Sequence, residues 1–261
     1  MHGLRKWLVS LLAVVGIGIM AYSGYQIFTT IHERDVSKKT NQQITDRVVT
    51  TRPSPTEADR DDPDPSPETA ETLPGETAPI DVDFSYLQEI CGDVIAWIYS
   101  EDTKINYPVV LSADNADYLH RLIDGTTNAA GTLFMDCRNT GDFSDENSII
   151  YGHHMKDGSM FAGIELYDSQ AYYDAHPVMY ILTPAGDYKL ELFSGMLVSA
   201  DDDTVYTTEL TVEEAGKRME ASDFRSDVQL REGDRFVTLS TCAYSFNSAR
   251  YVVTGVLRPL T

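Results

Sequence analysis

Residues 235–242 read Arg-Phe-Val-Thr-Leu-Ser-Thr-Cys, and residues 250–257 read Arg-Tyr-Val-Val-Thr-Gly-Val-Leu. Both runs are rich in the β-branched and aromatic residues that favour strands, and a short polar connection separates them. If the runs pair as a hairpin, Cys242 and Arg250 lie together at its open end. A fixed positive charge beside a thiol favours the thiolate and is able to stabilise an oxyanion.

Histidine is the usual partner of a cysteine nucleophile, and a second strand-like run ends in two of them. Residues 148–152 read Ser-Ile-Ile-Tyr-Gly, followed by His153 and His154. The glycine permits a tight exit from the strand, so a histidine there can lie over a neighbouring strand end. From the residues alone, the alternatives are a cysteine acyl-transfer site and a chance occurrence of such residues at strand ends. The other histidines are interpreted as surface or packing residues: His2, His32, His120 and His176.

The N-terminus is basic and then apolar. Arg5 and Lys6 precede an uncharged run from Trp7 to Phe28, which is about the length of ~20 residues that crosses a bilayer as a helix. A cleaved signal peptide is the alternative, although its apolar region is usually shorter. We expect a cytoplasmic segment 1–6, a transmembrane anchor 7–29 and everything beyond it outside the cell, because basic flanks stay in the cytoplasm.

The formal net charge is −21, which argues against nucleic-acid binding because that function needs a basic face. Much of the acidity lies in a segment rich in Pro, Thr, Asp and Glu that has too few apolar residues to fold. We therefore expect residues 30–79 to be a disordered acidic linker that tethers a catalytic domain, 80–261, to the membrane.

Three cysteines leave at least one thiol unpaired, and their spacing does not suggest a zinc site. Cys91 is interpreted as a small core residue, with a disulfide to Cys137 as the alternative. Cys242 is then the candidate free thiol. No metal and no cofactor are expected.

Residues 80–261 suffice for one sizeable core. Helical spacing occurs in 83–98, and further helices are predicted at Asn115–Ile123, Ser159–Leu166 and Thr211–Ala221. Short apolar runs separated by Gly, Asn, Asp and Pro predict an antiparallel barrel or sandwich. The predicted strands are 96–99, 106–111, 131–135, 148–151, 178–183, 188–198, 235–241 and 251–257.

Several stretches resemble the sortases. The run from Thr238 to Cys242, Thr-Leu-Ser-Thr-Cys, followed by Arg250, is similar to the TLxTC and Arg signature of that family. The histidine loop, Tyr151–Phe161, resembles that of class B sortases, as do three further stretches: Lys104–Val110, Asp117–Leu119 and Gly131–Asp136.

The resemblance implies a mainly β fold with peripheral helices: a closed eight-stranded sortase barrel with the helical additions of class B. It implies a membrane-anchored cysteine transpeptidase that cleaves a C-terminal sorting motif, of NPxTx or LPxTG type, after threonine. Cys242 would be the nucleophile, His153 the catalytic histidine and Arg250 the group that stabilises the oxyanion or positions substrate. Substrate contacts are expected at Ser240 and, on weaker grounds, at Asn106 and Thr241.

The implied partners are surface proteins that carry the sorting motif, an amine of a peptidoglycan cross-bridge or of a pilin, and the cell membrane. An L,D-transpeptidase is the alternative enzyme, but its cysteine motif is usually SHGC with an arginine almost directly after it. In a papain-like hydrolase the cysteine precedes the histidine. A binding module without activity is the non-enzymatic alternative.

Overall fold

The computed structural model describes residues 2–52, 76–242 and 248–260, and for residues 2–6, 8–10 and 242 it describes the backbone alone. Residues 53–75, the middle part of the predicted linker, and residues 243–247 of the predicted hairpin connection lie outside the described residues.

Eight strands close into a barrel, as predicted. The strands are β3 Val94–Tyr99, β4 Asn106–Leu111, β5 Leu133–Met135, β6 Asn147–Gly152, β7 Val178–Thr183, β8 Gly186–Ser199, β9 Phe236–Cys242 and β10 Ala249–Pro259. Around the barrel each strand pairs with its neighbours in the order β10-β8-β7-β3-β4-β5-β6-β9. The expected antiparallel arrangement is wrong for two pairs, because β4 pairs with β5 and β6 pairs with β9 in parallel.

Alternation along the strands builds the barrel core. In β9, Val237 and Leu239 are fully buried in the main apolar cluster, whereas Thr238 and Ser240 point to the other face. A second cluster lies outside the barrel wall and includes Trp97 and Phe134. The barrel is therefore filled by side chains, and the polar face of β9 is left for a site on the outside.

The first helix differs from the prediction. Helix α1 runs without interruption from His2 to Val48, and β1 (Val49–Thr51) follows it and pairs with β2 (Ile80–Val82). Ser37, Ile44 and Val48 are buried, with relative exposures of 5%, 8% and 3%. The expectation of a disordered linker is thus wrong for residues 30–52. The physical reason is that Ile44 and Val48, four residues apart on one helix face, pack into the second apolar cluster.

The remaining helices are short. Helix α2 spans Phe84–Ile90, shorter than the predicted segment 83–98, because the chain turns after Cys91 into β3. Helix α4, Val212–Glu220, is confirmed, and Thr211 and Glu214 form a capping box at its start. The predicted helices near residues 115–123 and 159–166 are 3-10 helices at Asp117–Leu119 and Phe161–Asp168, and α3, Gln170–Ala175, was not predicted.

Cys91 and Cys137 are not joined. The sulfur of Cys91 lies 3.2 Å from the hydroxyl of Tyr118, and Cys137 is exposed. The alternative of a disulfide between them is therefore wrong.

Candidate active site

The register of three strands brings Cys242, His153 and Arg250 to one end of the barrel. In the parallel pair of β6 and β9, Gly152 lies opposite Thr241. The residues that follow these two, His153 and Cys242, therefore lie at the same end of the pair. In the antiparallel pair of β9 and β10, Cys242 lies opposite Arg250. Because paired strands are about 4.8 Å apart, the three backbones are neighbours.

A cavity of about 340 Å³ opens at this end. His153, Arg250, Ser240 and Thr241 line it, and so do residues of the strands and loops around them: Asn115, Leu119, Phe134, Asp136, Arg138, Tyr151, Gly152, Ala200 and Tyr206. The cavity therefore brings together all the predicted site residues whose side chains the structure describes, except Asn106.

The imidazole of His153 is oriented by a backbone carbonyl. Its Nε2 lies 2.8 Å from the carbonyl oxygen of Leu119, and because a carbonyl only accepts, Nε2 carries the proton. The ring of His120 stacks on it with 5.8 Å between ring centroids. Burial lowers the pKa of His153, and the nearby charges of His120 and Arg250 lower it further, whereas the bond to Leu119 opposes them. The ring is thus held mainly neutral at pH 7.

The side chains of Thr241 and Arg250 each donate a hydrogen bond to a backbone carbonyl at the strand ends. The Thr241 hydroxyl donates to the carbonyl of Gly152 at 2.9 Å, which ties the end of β9 to the end of β6. Nη1 of Arg250 donates to the carbonyl of Ala249 at 3.0 Å, and the side chain is half-buried. The guanidinium thereby remains in the cavity, opposite the backbone of Cys242.

A second polar group forms the other wall of the cavity. Asp136 is 1% exposed and accepts hydrogen bonds from Arg138 at 2.8 and 2.9 Å and from Tyr151 at 2.8 Å. Burial alone would raise the pKa of Asp136, but these donors outweigh it and hold the pKa at about 2. The ring of Tyr206 stacks on that of Tyr151, and its hydroxyl lies 3.0 Å from the Ser240 hydroxyl.

The comparisons with known proteins agree with this geometry. A family model described as "Sortase domain" matches residues 98–258. The chain is also 30% identical over 262 residues to sortase B of Listeria monocytogenes serovar 1/2a, covering 97% of this chain and 98% of that relative. The chain belongs to the sortase family. It is a class B sortase, a cysteine transpeptidase, as the sequence motifs predicted.

Solved sortase B structures have the same fold. The structure from Bacillus anthracis, in complex with AAEK1, aligns with a TM-score of 0.67 at 28% identity and covers 88% of this chain and 99% of that one. A Staphylococcus aureus sortase B–substrate complex aligns with a TM-score of 0.63 at 32% identity, covering 67% and 84%. The S. aureus enzyme has also been solved in complex with Gly3. The L,D-transpeptidase alternative is thereby set aside.

One predicted contact is not at the sortase cavity. The amide oxygen of Asn106 accepts a hydrogen bond from the indole of Trp97 at 2.6 Å. Asn106 lines a different groove, between α1 and the barrel, beside Lys38 and Thr45. The expectation of a substrate contact at Asn106 is not supported, because its side chain belongs to the wall that faces α1.

The two adjacent histidines have different surroundings. His154 Nε2 lies 2.7 Å from a carboxylate oxygen of Glu165, and the side chain lines a separate groove of about 730 Å³ with Lys104 and Leu166. His153 alone of the two lines the cavity that contains Arg250. This difference follows from alternation along an extended chain, which points successive side chains in opposite directions.

Sequence reasoning missed most of the cavity wall. Leu119 acts through its backbone, and His120 was interpreted as a surface or packing residue although its ring stacks on His153. Tyr206 comes from a loop after β8 that shows no motif. Asp136 and Tyr151 lie within stretches that resemble the family, and that resemblance was the signal that could have found them.

Proposed function

We propose that this sortase is a membrane-anchored enzyme that cleaves a C-terminal sorting motif after threonine and transfers the protein to an amine. The observation that carries the proposal is the register of β6, β9 and β10, which sets the backbones of His153, Cys242 and Arg250 side by side.

The reaction would proceed in two stages. The Cys242 thiolate attacks the carbonyl carbon of the motif threonine, and the tetrahedral oxyanion is stabilised by the Arg250 guanidinium. When the C–N bond breaks, the protonated ring of His153 gives its proton to the departing amine, and a thioester remains. The acceptor amine then attacks the thioester, its proton passes to His153, and the thiolate is released as the new amide forms.

The first stage needs an anionic thiol and a cationic imidazole together. Because burial and neighbouring charges lower the pKa of His153, the protonated ring is a minor form at neutral pH. We therefore expect only a minority of enzyme molecules to be ready to react. This expectation predicts slow turnover.

Ser240, Thr241 and Tyr206 are our proposed contacts for the sorting motif. Ser240 and Thr241 are 2% exposed, and the Ser240 and Tyr206 hydroxyls face each other across 3.0 Å. A motif of the NPxTx or LPxTG kind offers backbone amides and a threonine hydroxyl that such groups can bind. That an S. aureus sortase B has been solved with substrate and with Gly3 supports a peptide donor and an amine acceptor here.

The acceptor amine is proposed to belong to a peptidoglycan cross-bridge or to a pilin. The membrane is proposed to hold the apolar part of α1, where Trp7 and the large apolar side chains from Leu11 to Ile31 are exposed. One helix of the described residues is long and apolar enough to cross a membrane. The basic residues Arg5 and Lys6 then place the N-terminus in the cytoplasm and the barrel outside.

Cleavage of a fluorogenic sorting peptide by the full chain in detergent micelles tests the proposal. We expect Cys242→Ala to abolish both cleavage and the thioester adduct in intact-mass spectra, whereas the matched variant Cys137→Ala keeps both. His153→Ala is expected to be inactive and His154→Ala to retain activity. Arg250→Lys keeps the charge but loses the planar fork, so we expect a large rate loss without unfolding. Near wild-type cleavage by Cys242→Ala would refute the mechanism.

A further inference from the structure

One turn of α1 contacts both segments that hold His153. The first segment is loop 119–132, which contributes the Leu119 carbonyl that accepts from the imidazole. The second is the histidine loop itself, residues 153–160. The turn of α1 that reaches both is Glu33–Lys38, which directly follows the exposed apolar part of the helix.

The contact to loop 119–132 is made by Asn128, which is 2% exposed. Its Nδ2 donates to the carbonyl of Glu33 in α1 at 2.7 Å, and its Oδ1 accepts from the amide of Ala130 at 2.9 Å. The Asn128 backbone amide donates to the carbonyl of His120 at 2.9 Å. A single residue thus connects the helix, through its side chain, to the residue next to Leu119, through its backbone amide.

The contact to the histidine loop is made by Asp157. Its carboxylate lies 3.1 Å from Nζ of Lys38 and 3.9 Å from Nε of Arg34, and the Asp157 side chain is only 10% exposed. The same carboxylate accepts from the amide and hydroxyl of Ser159 at 3.1 and 2.6 Å.

The root of this loop is closed by Phe161, whose amide donates to the carbonyl of His153 at 3.0 Å. The tip of the loop at Asp157 is therefore held by the helix, while its root carries the imidazole. Displacing the tip away from the barrel would move the root with it, because the two are joined by a short hydrogen-bonded turn.

We propose that the Glu33–Lys38 turn of α1 is a positioning element for His153, with Asp157 and Asn128 as its positioning residues. The same helix that we propose as membrane anchor then also fixes the imidazole against Cys242. A misplacement of about 1 Å at a reacting group can cost on the order of 100-fold in rate, so a small shift of the loop is enough to matter. The proposed substrate contacts at Ser240, Thr241 and Tyr206 do not involve these residues.

The test uses the full chain in detergent micelles and a double-mutant cycle, which isolates an interaction from independent effects. Asp157→Asn removes the charge but keeps an oxygen for Ser159, and Lys38→Gln removes the partner. We expect kcat for peptide cleavage to fall about fivefold in Asp157→Asn and about threefold in Lys38→Gln, with KM changed less than about twofold. In the double variant we expect kcat to fall about fivefold, no more than in Asp157→Asn alone.

A double variant that loses about 15-fold, the product of the two single effects, would overturn the proposal, and so would losses that lie in KM. The matched control is Lys217→Gln, which removes an exposed 2.7 Å pair with Glu213 on α4 and is expected to leave kcat unchanged.

A second readout is independent of activity and therefore of the proposed function. The ring resonances of His153, assigned with His153→Gln, should shift in Asp157→Asn and in Asn128→Asp, whereas those of His176 should not. Asn128→Asp keeps the acceptor for Ala130 and places an oxygen against the Glu33 carbonyl. Unshifted His153 resonances in both variants would overturn the proposal. If wild type does not cleave any sorting peptide, the proposed function fails, and the resonances still decide on the positioning.

Discussion

Thr238 and Thr254 offer a test of what holds the cysteine strand in place. They lie opposite each other in β9 and β10 and are 0% and 1% exposed. The Thr238 hydroxyl donates to the amide oxygen of Asn147 at 2.9 Å and accepts from the Arg218 guanidinium at 3.2 Å. The Thr254 hydroxyl lies at 3.5 Å from both Thr238 and Arg218, at the limit of a hydrogen bond.

The buried charge of Arg218 increases the loss of unfolding free energy when one of its hydrogen-bond partners, such as the Thr238 hydroxyl, is removed. Burial lowers its pKa to about 10, so the guanidinium is charged at neutral pH. Its Nη2 donates to the carbonyls of Thr204 and Val205 at 2.9 and 3.0 Å. These bonds connect α4 to the loop that carries Tyr206, and Thr238 connects the same guanidinium to β9.

Replacing either threonine by valine keeps the shape and removes the hydroxyl. Thr238→Val removes one neutral hydrogen bond, about 1 kcal/mol, and one to a charged group, about 2 kcal/mol. The sum of about 3 kcal/mol corresponds to a fall in Tm of about 6–12 °C for a domain of this size. Thr254→Val removes only two long contacts, so we expect the unfolding free energy to fall by less than about 1 kcal/mol and Tm by less than about 4 °C.

The assay is thermal unfolding of the full chain in micelles, followed by near-ultraviolet circular dichroism. Thr238→Ser is the control, since it restores the hydroxyl and removes only a methyl group, and it should recover most of the lost stability. Equal losses in Thr238→Val and Thr254→Val, or no recovery in Thr238→Ser, would refute the reasoning, because burial and shape are the same at the two positions.

Two further predictions concern the surroundings of His153. A Cβ on Gly131 (φ +58) would lie 2.5 Å from the Leu119 carbonyl oxygen, whereas one on Gly125 (φ +86) would meet nothing within 4 Å. We expect Gly131→Ala to lower both Tm and kcat and Gly125→Ala to cost only about 1 kcal/mol of backbone strain, and equal kcat values would contradict this. In Cys242→Ala, the His153 ring should titrate by NMR with a pKa below the value of about 6.5 for an unperturbed histidine. The unfolding free energy should then fall as the pH decreases from about 6.5 to that lower pKa, because the ring takes up its proton first in the unfolded state. A midpoint at or above 6.5 would contradict this.

Local patterns were sufficient for individual elements. The strands β4 and β7 begin and end where the apolar runs do, and the capping box at Thr211 fixes the start of α4. The hairpin of β9 and β10 follows from two runs and a short connection, so the pairing of Cys242 with Arg250 was predictable from the residues.

Contacts between distant segments were not predictable from local patterns. The segment 83–98 has helical spacing, but its second half pairs with β4 and β7 and is a strand, so pairing with neighbours outweighs local periodicity. Residues 30–52 lie between an apolar and an acidic stretch and were grouped with the latter. These residues are helical and packed because Ile44 and Val48 contact the second apolar cluster and because Lys38 pairs with the carboxylate of Asp157, more than a hundred residues away.

The parallel pairing of β6 and β9 is the step that makes an active site possible. Six residue pairs join the two strands, from Asn147 with Phe236 to Gly152 with Thr241. Were the same strands antiparallel, the end of β6 would lie beside Phe236, and His153 would be about 20 Å from Cys242 at about 3.3 Å per residue. A parallel pair requires a long crossover, and here residues 153–235 supply it. That crossover also contains the Asp157 contact to α1, the loop of Tyr206 and the buried Arg218. The segment that brings imidazole and thiol to one end therefore also supplies the groups that hold them there.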